Sequence, residues 1–298
     1  MDRRRFNRQL AWAVAASSPL LARAQQKNTD QMPANQLPTN SRWQAIEAGA
    51  AGRLGVAVLD TASGRLEGHR LDERFPMCST FKWLAAACVL QRVDAGQERL
   101  DRRIRYGREV LLSHSPVTAQ HTGQGMTLGE LCEAAVTVSD NAAANLLLAS
   151  FGGPAALTRY ARTLGDPMTR LDRREPALNE ARPGDPRDTT TPRAMATALR
   201  AAVLGEALSP ASRAQLVRWL EATSTNGQRL RADLPAGWRM GSKTGSGARG
   251  TTNDVGVFWP PGGRAPLVVA VYLTESAAAE SVRNAAVAQV AGVVRRGG

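Results

Sequence analysis

Lysine is almost missing from this chain. Of 38 basic residues in 298, 35 are arginine, and the lysines are Lys27, Lys82 and Lys243 alone. Cysteine is scarce and odd in number: with Cys78, Cys88 and Cys132, an exported form carries at least one unpaired thiol. The three histidines, His69, His114 and His121, lie far apart or in polar stretches, and neither a C-x-x-C nor an H-x-x-x-H pair occurs. The usual zinc spacings are therefore excluded, and no metal or other cofactor is expected. Past the N-terminus, no uncharged apolar run reaches the roughly 18–20 residues that a membrane span needs. There is no internal repeat and no long block of one charge sign; Arg102, Arg103 and Arg105 form the densest inner group. The net charge of +12 thus reads as a solvated exterior and not as a nucleic-acid surface.

What is present begins with the two lysines inside the body of the chain. Arginine keeps its proton in proteins, whereas a buried lysine can lose its own once desolvation lowers its pKa. Lys82 and Lys243 are therefore the first places to look for chemistry.

Residues 1–24 combine a charged start, a moderately apolar stretch from Leu10 to Leu21 and a small-x-small site at Ala22-Arg23-Ala24. This is the pattern of a cleaved export signal, and Arg3-Arg4-Arg5-Phe6 fits a twin-arginine leader. The expected product is periplasmic, free of the membrane after cleavage, and opens with a polar segment over 25–40. Strand patterns follow at 54–59 and 65–70, with a turn at Thr61-Ala62-Ser63-Gly64, and again at 238–242, 254–259 and 265–273. Between them the chain is rich in Ala and Leu and mostly helical, and 277–294 closes it with a helix. The economical fold is α+β: an antiparallel five-stranded sheet built from both ends of the chain (41–72 and 215–298), flanked by helices, with an all-helical domain inserted at 73–214. Within the insert, 170–188 belongs to a long polar stretch containing prolines, and loops of that length are usually functional.

Four short motifs carry the chemistry. Ser79-Thr80-Phe81-Lys82 puts a hydroxyl and an amine on one face of a helix start. Serine is a weak nucleophile until a neighbour takes its proton, and a desolvated lysine can do so. On its own this spacing describes any capped helix; the rarity of lysine gives it weight. Ser139-Asp140-Asn141 breaks an apolar helical region. It is either a cap or a second hydroxyl beside an amide that binds substrate. Lys243-Thr244-Gly245 follows a strand, where a cation can hold a carboxylate and Gly245 and Gly247 permit close backbone approach. In the polar loop, Glu175 and Asn179 can jointly position one water.

In this order the motifs resemble the signature of penicillin-binding proteins and class A β-lactamases. The segments RFPMCSTFK, AAVTVSDNAAAN, EPALN, PGDPRDTT and KTGSG extend the resemblance to class A β-lactamases over nearly all of 41–298. It implies a two-domain fold and a monomer that takes small-molecule β-lactams. By the same resemblance, Ser79 is the acylated nucleophile, and Lys82 or Glu175 is its base. Glu175 with Asn179 activates the deacylating water, and Ser139 protonates the β-lactam nitrogen. Lys243, Thr244, Ser246 and Arg229 hold the substrate carboxylate, Asn141 its side-chain amide, and the N–H groups of Ser79 and Ser246 the oxyanion. Arg173 and Asp188 form an ion pair that closes the loop. His114 occupies a place at the cleft mouth that is aromatic in many members, and Ser246 hints at activity on cephalosporins. Cys78 has Gly247 where some relatives have its partner cysteine, and Cys88 is offset from the position that would bridge Cys132, so neither disulfide is expected. Two other readings remain: a peptidoglycan DD-peptidase with the same motifs, which would lack the Glu175–Asn179 water site, and a non-catalytic cell-wall binder using the basic surface.

Overall fold

Alternating apolar residues in the strands create two cores, one on each side of a single sheet. The computed structural model describes residues 39–297, and Thr39 onward forms one compact unit. The expected signal peptide and most of the polar segment lie outside the described residues. The strands are β1 (Arg53–Asp60), β2 (Leu66–His69), β3 (Phe75–Pro76), β4 (Arg103–Ile104), β5 (Met126–Thr127), β6 (Thr189–Thr190), β7 (Arg239–Gly247), β8 (Thr251–Trp259) and β9 (Leu267–Thr274). Five of them form the main sheet in the order β2-β1-β9-β8-β7, with every neighbouring pair antiparallel. The short β3 pairs with β6, and β4 with β5.

The central strand β9 is buried along its whole length. Because successive side chains point to opposite faces, Val268, Ala270 and Tyr272 join the larger core under the inserted helices. Val269, Val271 and Leu273 join a second core with Trp43, Ile46, Val287, Val290 and Val294. Those last residues come from α1 (Thr39–Ala50) and the closing helix. The inserted helices are α2 (Phe81–Asp94), α3 (Leu128–Thr137), α4 (Asn141–Ser150), α5 (Pro154–Thr163), α6 (Pro192–Val203) and α7 (Pro210–Glu221), and the closing helix is α8 (Glu280–Gly297). Several start on a side-chain cap: Thr127 with Glu130 forms a capping box on α3, Asp140 caps α4, and Thr191 caps α6 ahead of Pro192.

Three boundaries differ from the sequence reading. Strand β7 runs on to Gly247, so Lys243-Thr244-Gly245 lies within the strand and not after it, paired with β8 through Lys243↔Val255. Ser79 sits in a 3-10 turn, Cys78–Thr80, that leads into α2. A division at 214/215 cuts α7, whose Leu216, Trp219 and Leu220 all pack into the larger core with the helices before it. Amphipathic patterning reveals a helix, but not which neighbour it packs on.

Candidate active site

The turn carrying Ser79 is held from three sides. Met77 N–H donates to the Asp188 carbonyl at 2.9 Å, and Asn253 Nδ2 donates to the carbonyls of Pro76 and Met77 at 2.9 and 3.1 Å. Strand β7 packs on the third side, where a Cβ on Gly245 would lie 2.7 Å from the Met77 carbonyl oxygen. Cys78 has φ 46°, a left-handed conformation that a non-glycine residue holds only where its surroundings impose it. Ser79 is nearly buried and its Oγ donates to Glu175 Oε1 at 3.1 Å.

Lys82 stands at the first turn of α2 and is fully buried. Its Nζ donates to the Ser139 carbonyl at 2.8 Å and to Asn141 Oδ1 at 2.6 Å, and lies 3.1 Å from Glu175 Oε1. Burial pulls its pKa below the ordinary lysine value, while the Glu175 carboxylate opposes that shift. Lys243, equally buried, donates to Ser139 Oγ at 3.0 Å and to the Thr244 carbonyl at 2.9 Å. Desolvation, reinforced by the charge of Lys82, holds Lys243 well below the usual lysine range. Ser139 Oγ is also 3.4 Å from Lys82 Nζ, so one hydroxyl joins the two amines. Ser139 itself has φ 63° and sits between α3 and α4, and Asp140 next to it ties down the neighbouring loop. The Asp140 carboxylate accepts from the N–H groups of Val117, Thr118 and Ala143.

Glu175 is 4% exposed and belongs to the polar loop. Its Oε2 accepts from Asn179 Nδ2, one short 3-10 turn further on. Its backbone is clamped by a residue that the motif reading missed. Asn145 donates through Nδ2 to the Glu175 carbonyl at 2.9 Å and accepts from the Glu175 N–H at 3.0 Å. The signal for Asn145 was its place four residues after Asn141 on α4, which sets both side chains on one helix face. The loop closes on Asp188, which is fully buried. Its Oδ2 takes Arg173 Nε at 2.6 Å, and its Oδ1 takes the N–H groups of Asp172 and Arg173, both at 2.8 Å. Arg173 also reaches Glu180 Oε2 at 2.7 Å, a second contact that spacing did not reveal.

The far wall comes from β7 and the segment after α7. Arg229 donates to Ser246 Oγ at 2.7 Å and to the carbonyls of Gly245 and Asn253, with Nε on Asn284 Oδ1 at 2.8 Å. Thr244 Oγ1 meets Thr225 Oγ1 at 2.5 Å. Asn141 is committed at both ends, with Oδ1 to Lys82 and Nδ2 to the Ser113 carbonyl at 2.9 Å. His114 is exposed on the rim; its Nε2 is 2.9 Å from the Val138 carbonyl oxygen, and its own carbonyl accepts from Asn141 N–H. Cys78, Cys88 and Cys132 are buried free thiols. No group of His, Cys, Asp or Glu among the described residues could hold a metal ion.

A buried serine hydroxyl bonded to a carboxylate, two desolvated amines and a second serine between them define a site built for acyl transfer through a serine ester. Comparison with known proteins gives the family. Residues 38–296 match the β-lactamase enzyme family. The chain is 48% identical to β-lactamase L2 of Stenotrophomonas maltophilia over 99% of both chains. It is 48% identical to β-lactamase CTX-M-25 of Escherichia coli over 85% of this chain and 87% of that one. Among solved structures, an ancestral class A β-lactamase superposes with a TM-score of 0.85 at 63% identity, covering 87% of this chain and 99% of that one. The putative class A β-lactamase PenP from Rhodopseudomonas palustris gives 0.85 at 61% identity, covering 87% and 98%. The chain belongs to the class A serine β-lactamases.

Proposed function

We propose that this protein hydrolyses the β-lactam amide of antibiotics through an acyl-enzyme on Ser79, and so confers resistance. The observation that carries this reading is the 3.1 Å contact from Ser79 Oγ to Glu175 Oε1, with Asn179 on the other carboxylate oxygen. In acylation, Ser79 Oγ attacks the ring carbonyl and its proton passes to Glu175. The N–H groups of Ser79 and Ser246 stabilise the oxyanion. Lys82 gives a proton to Ser139 Oγ, Ser139 gives its own to the departing ring nitrogen, and Glu175 restores Lys82 across 3.1 Å. In deacylation, Glu175 and Asn179 orient a water, and Glu175 takes its proton as it cleaves the ester. The Asn179 Oδ1 atom has no hydrogen-bond partner among the described residues, which leaves it to accept from that water. Lys243, Thr244, Ser246 and Arg229 bind the substrate carboxylate, Asn141 faces the acylamino side chain, and His114 borders the entrance. The Arg173–Asp188 pair keeps the loop folded under Glu175.

The Glu175–Asn179 pair favours hydrolase over DD-peptidase, because a peptidase target holds its acyl group, and the two buried amines favour an enzyme over a passive cell-wall binder. Among the described residues no helix is long and apolar enough to cross a membrane. An exported, monomeric, periplasmic enzyme delivered by the twin-arginine route completes the reading. The test is Glu175→Ala incubated with a chromogenic cephalosporin and followed by mass spectrometry. Both steps should slow, deacylation more than acylation, because Lys82 can still take the Ser79 proton whereas no other group activates the water. One ring-opened substrate should therefore accumulate on Ser79; a variant that neither carries the added mass nor slows turnover would overturn the scheme.

A further inference from the structure

Away from the catalytic cleft, the C-terminal half of α2 and one face of α5 enclose a cavity of 440 Å³. Cys88, Gln91 and Arg92 line it from α2 at spacing i, i+3, i+4, and Ala156, Arg159, Tyr160 and Thr163 from α5 at i, i+3, i+4, i+7. Phe151 and Leu164 supply much of its apolar wall, and no aspartate or glutamate lines it.

Its polar groups are unspent. Tyr160 is 6% exposed, yet among the described residues its buried hydroxyl has no hydrogen-bond partner, and neither has the buried Nε of Arg92. A buried polar atom without a partner destabilises the fold, so proteins seldom leave two around one cavity without a use. The arginines stand out in the same way. Several arginines around the molecule, from Arg53 and Arg70 to Arg173, Arg187 and Arg193, are spent on carboxylates. Among the described residues, no ion pair or hydrogen bond joins the side chain of Arg92 or of Arg159 to another group. Two unpaired guanidinium groups and a phenol donor therefore face one half-apolar cavity with no negative charge in its lining. Burial also raises the Tyr160 phenol above its ordinary pKa, which keeps it a donor. The Cys88 thiol, pushed up to about 12 by burial, is held protonated and adds apolar surface, not a nucleophile.

We propose that this cavity is a binding site for a small organic carboxylate with a flat apolar body, its carboxylate held by Arg92, Arg159 and the Tyr160 hydroxyl and its body against Phe151 and Leu164. Arginine pairs recognise carboxylates in a planar, bidentate manner, and the apolar wall selects against inorganic anions. Arg92 lies ten residues beyond Lys82 along α2, about 15 Å at 1.5 Å per residue, so the ligand does not occupy the substrate cleft. The site is independent of the reaction assigned to Ser79.

The probe is 2-naphthoate, with 2-naphthamide as its uncharged counterpart. Binding is followed on the full-length protein by amide chemical-shift changes in a two-dimensional NMR titration. The shifts should cluster in 88–94 and 151–164, and the amide should bind at least tenfold more weakly. In the double variant Arg92→Gln/Arg159→Gln, which keeps most of the apolar stems, affinity should fall at least tenfold while hydrolysis of a chromogenic cephalosporin stays at the wild-type rate. Tyr160→Phe should weaken binding severalfold. Shifts confined to residues around Ser79 and Lys243, equal binding of acid and amide, or an unchanged affinity in the double variant would each overturn the assignment.

Discussion

Lys82 Nζ and Glu175 Oε1 lie 3.1 Å apart, and both side chains are shut off from solvent. Breaking one half of such a pair leaves an uncompensated buried charge, whereas intact it is a proton path in a dry site. Lys82→Arg keeps the charge but cannot release the proton that Ser139 needs, and the larger guanidinium does not fit the three acceptors around Nζ. We expect kcat/KM to fall at least a hundredfold, within the usual range for losing a general acid–base group. Steady-state kinetics on a fold-checked variant decides it; near-normal turnover would remove Lys82 from the relay.

Loop closure depends on Asp188, which takes the Arg173 guanidinium on one oxygen and two backbone N–H groups on the other. Asp188→Asn can serve only part of this set. The expected loss is about 2 kcal/mol, typical for hydrogen bonds to a charged group. Amide exchange in 170–188 should accelerate, and deacylation should slow more than acylation because Glu175 is carried on this loop. Unchanged exchange protection together with unchanged hydrolysis would contradict the role given to the ion pair.

Asp254 offers a pH test. It is completely buried; desolvation raises its pKa from 3.8 to about 6, while Arg229 opposes that rise. Its Oδ2 accepts the Leu230 N–H at 3.1 Å, and Oδ1 has no partner among the described residues. The folded protein therefore binds this proton more tightly than the unfolded chain does. Its contribution to stability is present below pH 4 and is lost as pH rises to about 6, with a span of about 3 kcal/mol. Asp254→Asn should remove that component. Denaturant unfolding at pH 4.5 and pH 7.5 should show a smaller fall, or a larger rise, with pH in the variant than in the parent. An identical pH dependence in both proteins would reject the claim.

Gly247 has no room for a side chain. A Cβ there would meet Cys78 Sγ at 2.6 Å and the Asn179 carbonyl oxygen at 2.9 Å, while the Asn179 carbonyl already accepts from Ala248 N–H. Gly247→Ala should displace the Glu175–Asn179 segment, slow deacylation about tenfold and cost about 1–3 kcal/mol as overpacking does. Adding Cys78→Ala should recover part of the loss, since one of the two clashes is with sulfur. Stopped-flow hydrolysis and thermal melts of the single and double variants provide the check.

The catalytic motifs were readable because their geometry is local. Ser79 and Lys82 share a helix start, Glu175 and Asn179 are four residues apart in one tight turn, and lysine rarity singled out Lys82 and Lys243. The five strands were readable from β-branched runs and turn residues, although the end of β7 was set short because Gly245 and Gly247 weaken the strand pattern there. The contacts of Asn145, Asn253 and Glu180 were not legible in this way. Helix spacing puts Asn145 on the face of Asn141 but does not say that it reaches the Glu175 backbone, Asn253 bonds carbonyls far away in the chain, and Glu180 meets Arg173 only because the loop folds back on itself.

By itself, then, the amino-acid order determined the elements, their alternation of buried and exposed faces, and the residue types able to attack, donate and accept protons. The tertiary structure alone decided how those groups are used. Packing β7 against the Ser79 turn and folding the loop onto Asp188 bring Glu175 within hydrogen-bond reach of Ser79 and strip water from Lys82 and Lys243. A pKa depends on solvent exclusion and on charges a few ångströms away. Both are properties of the folded interior, where residues far apart in the chain become neighbours.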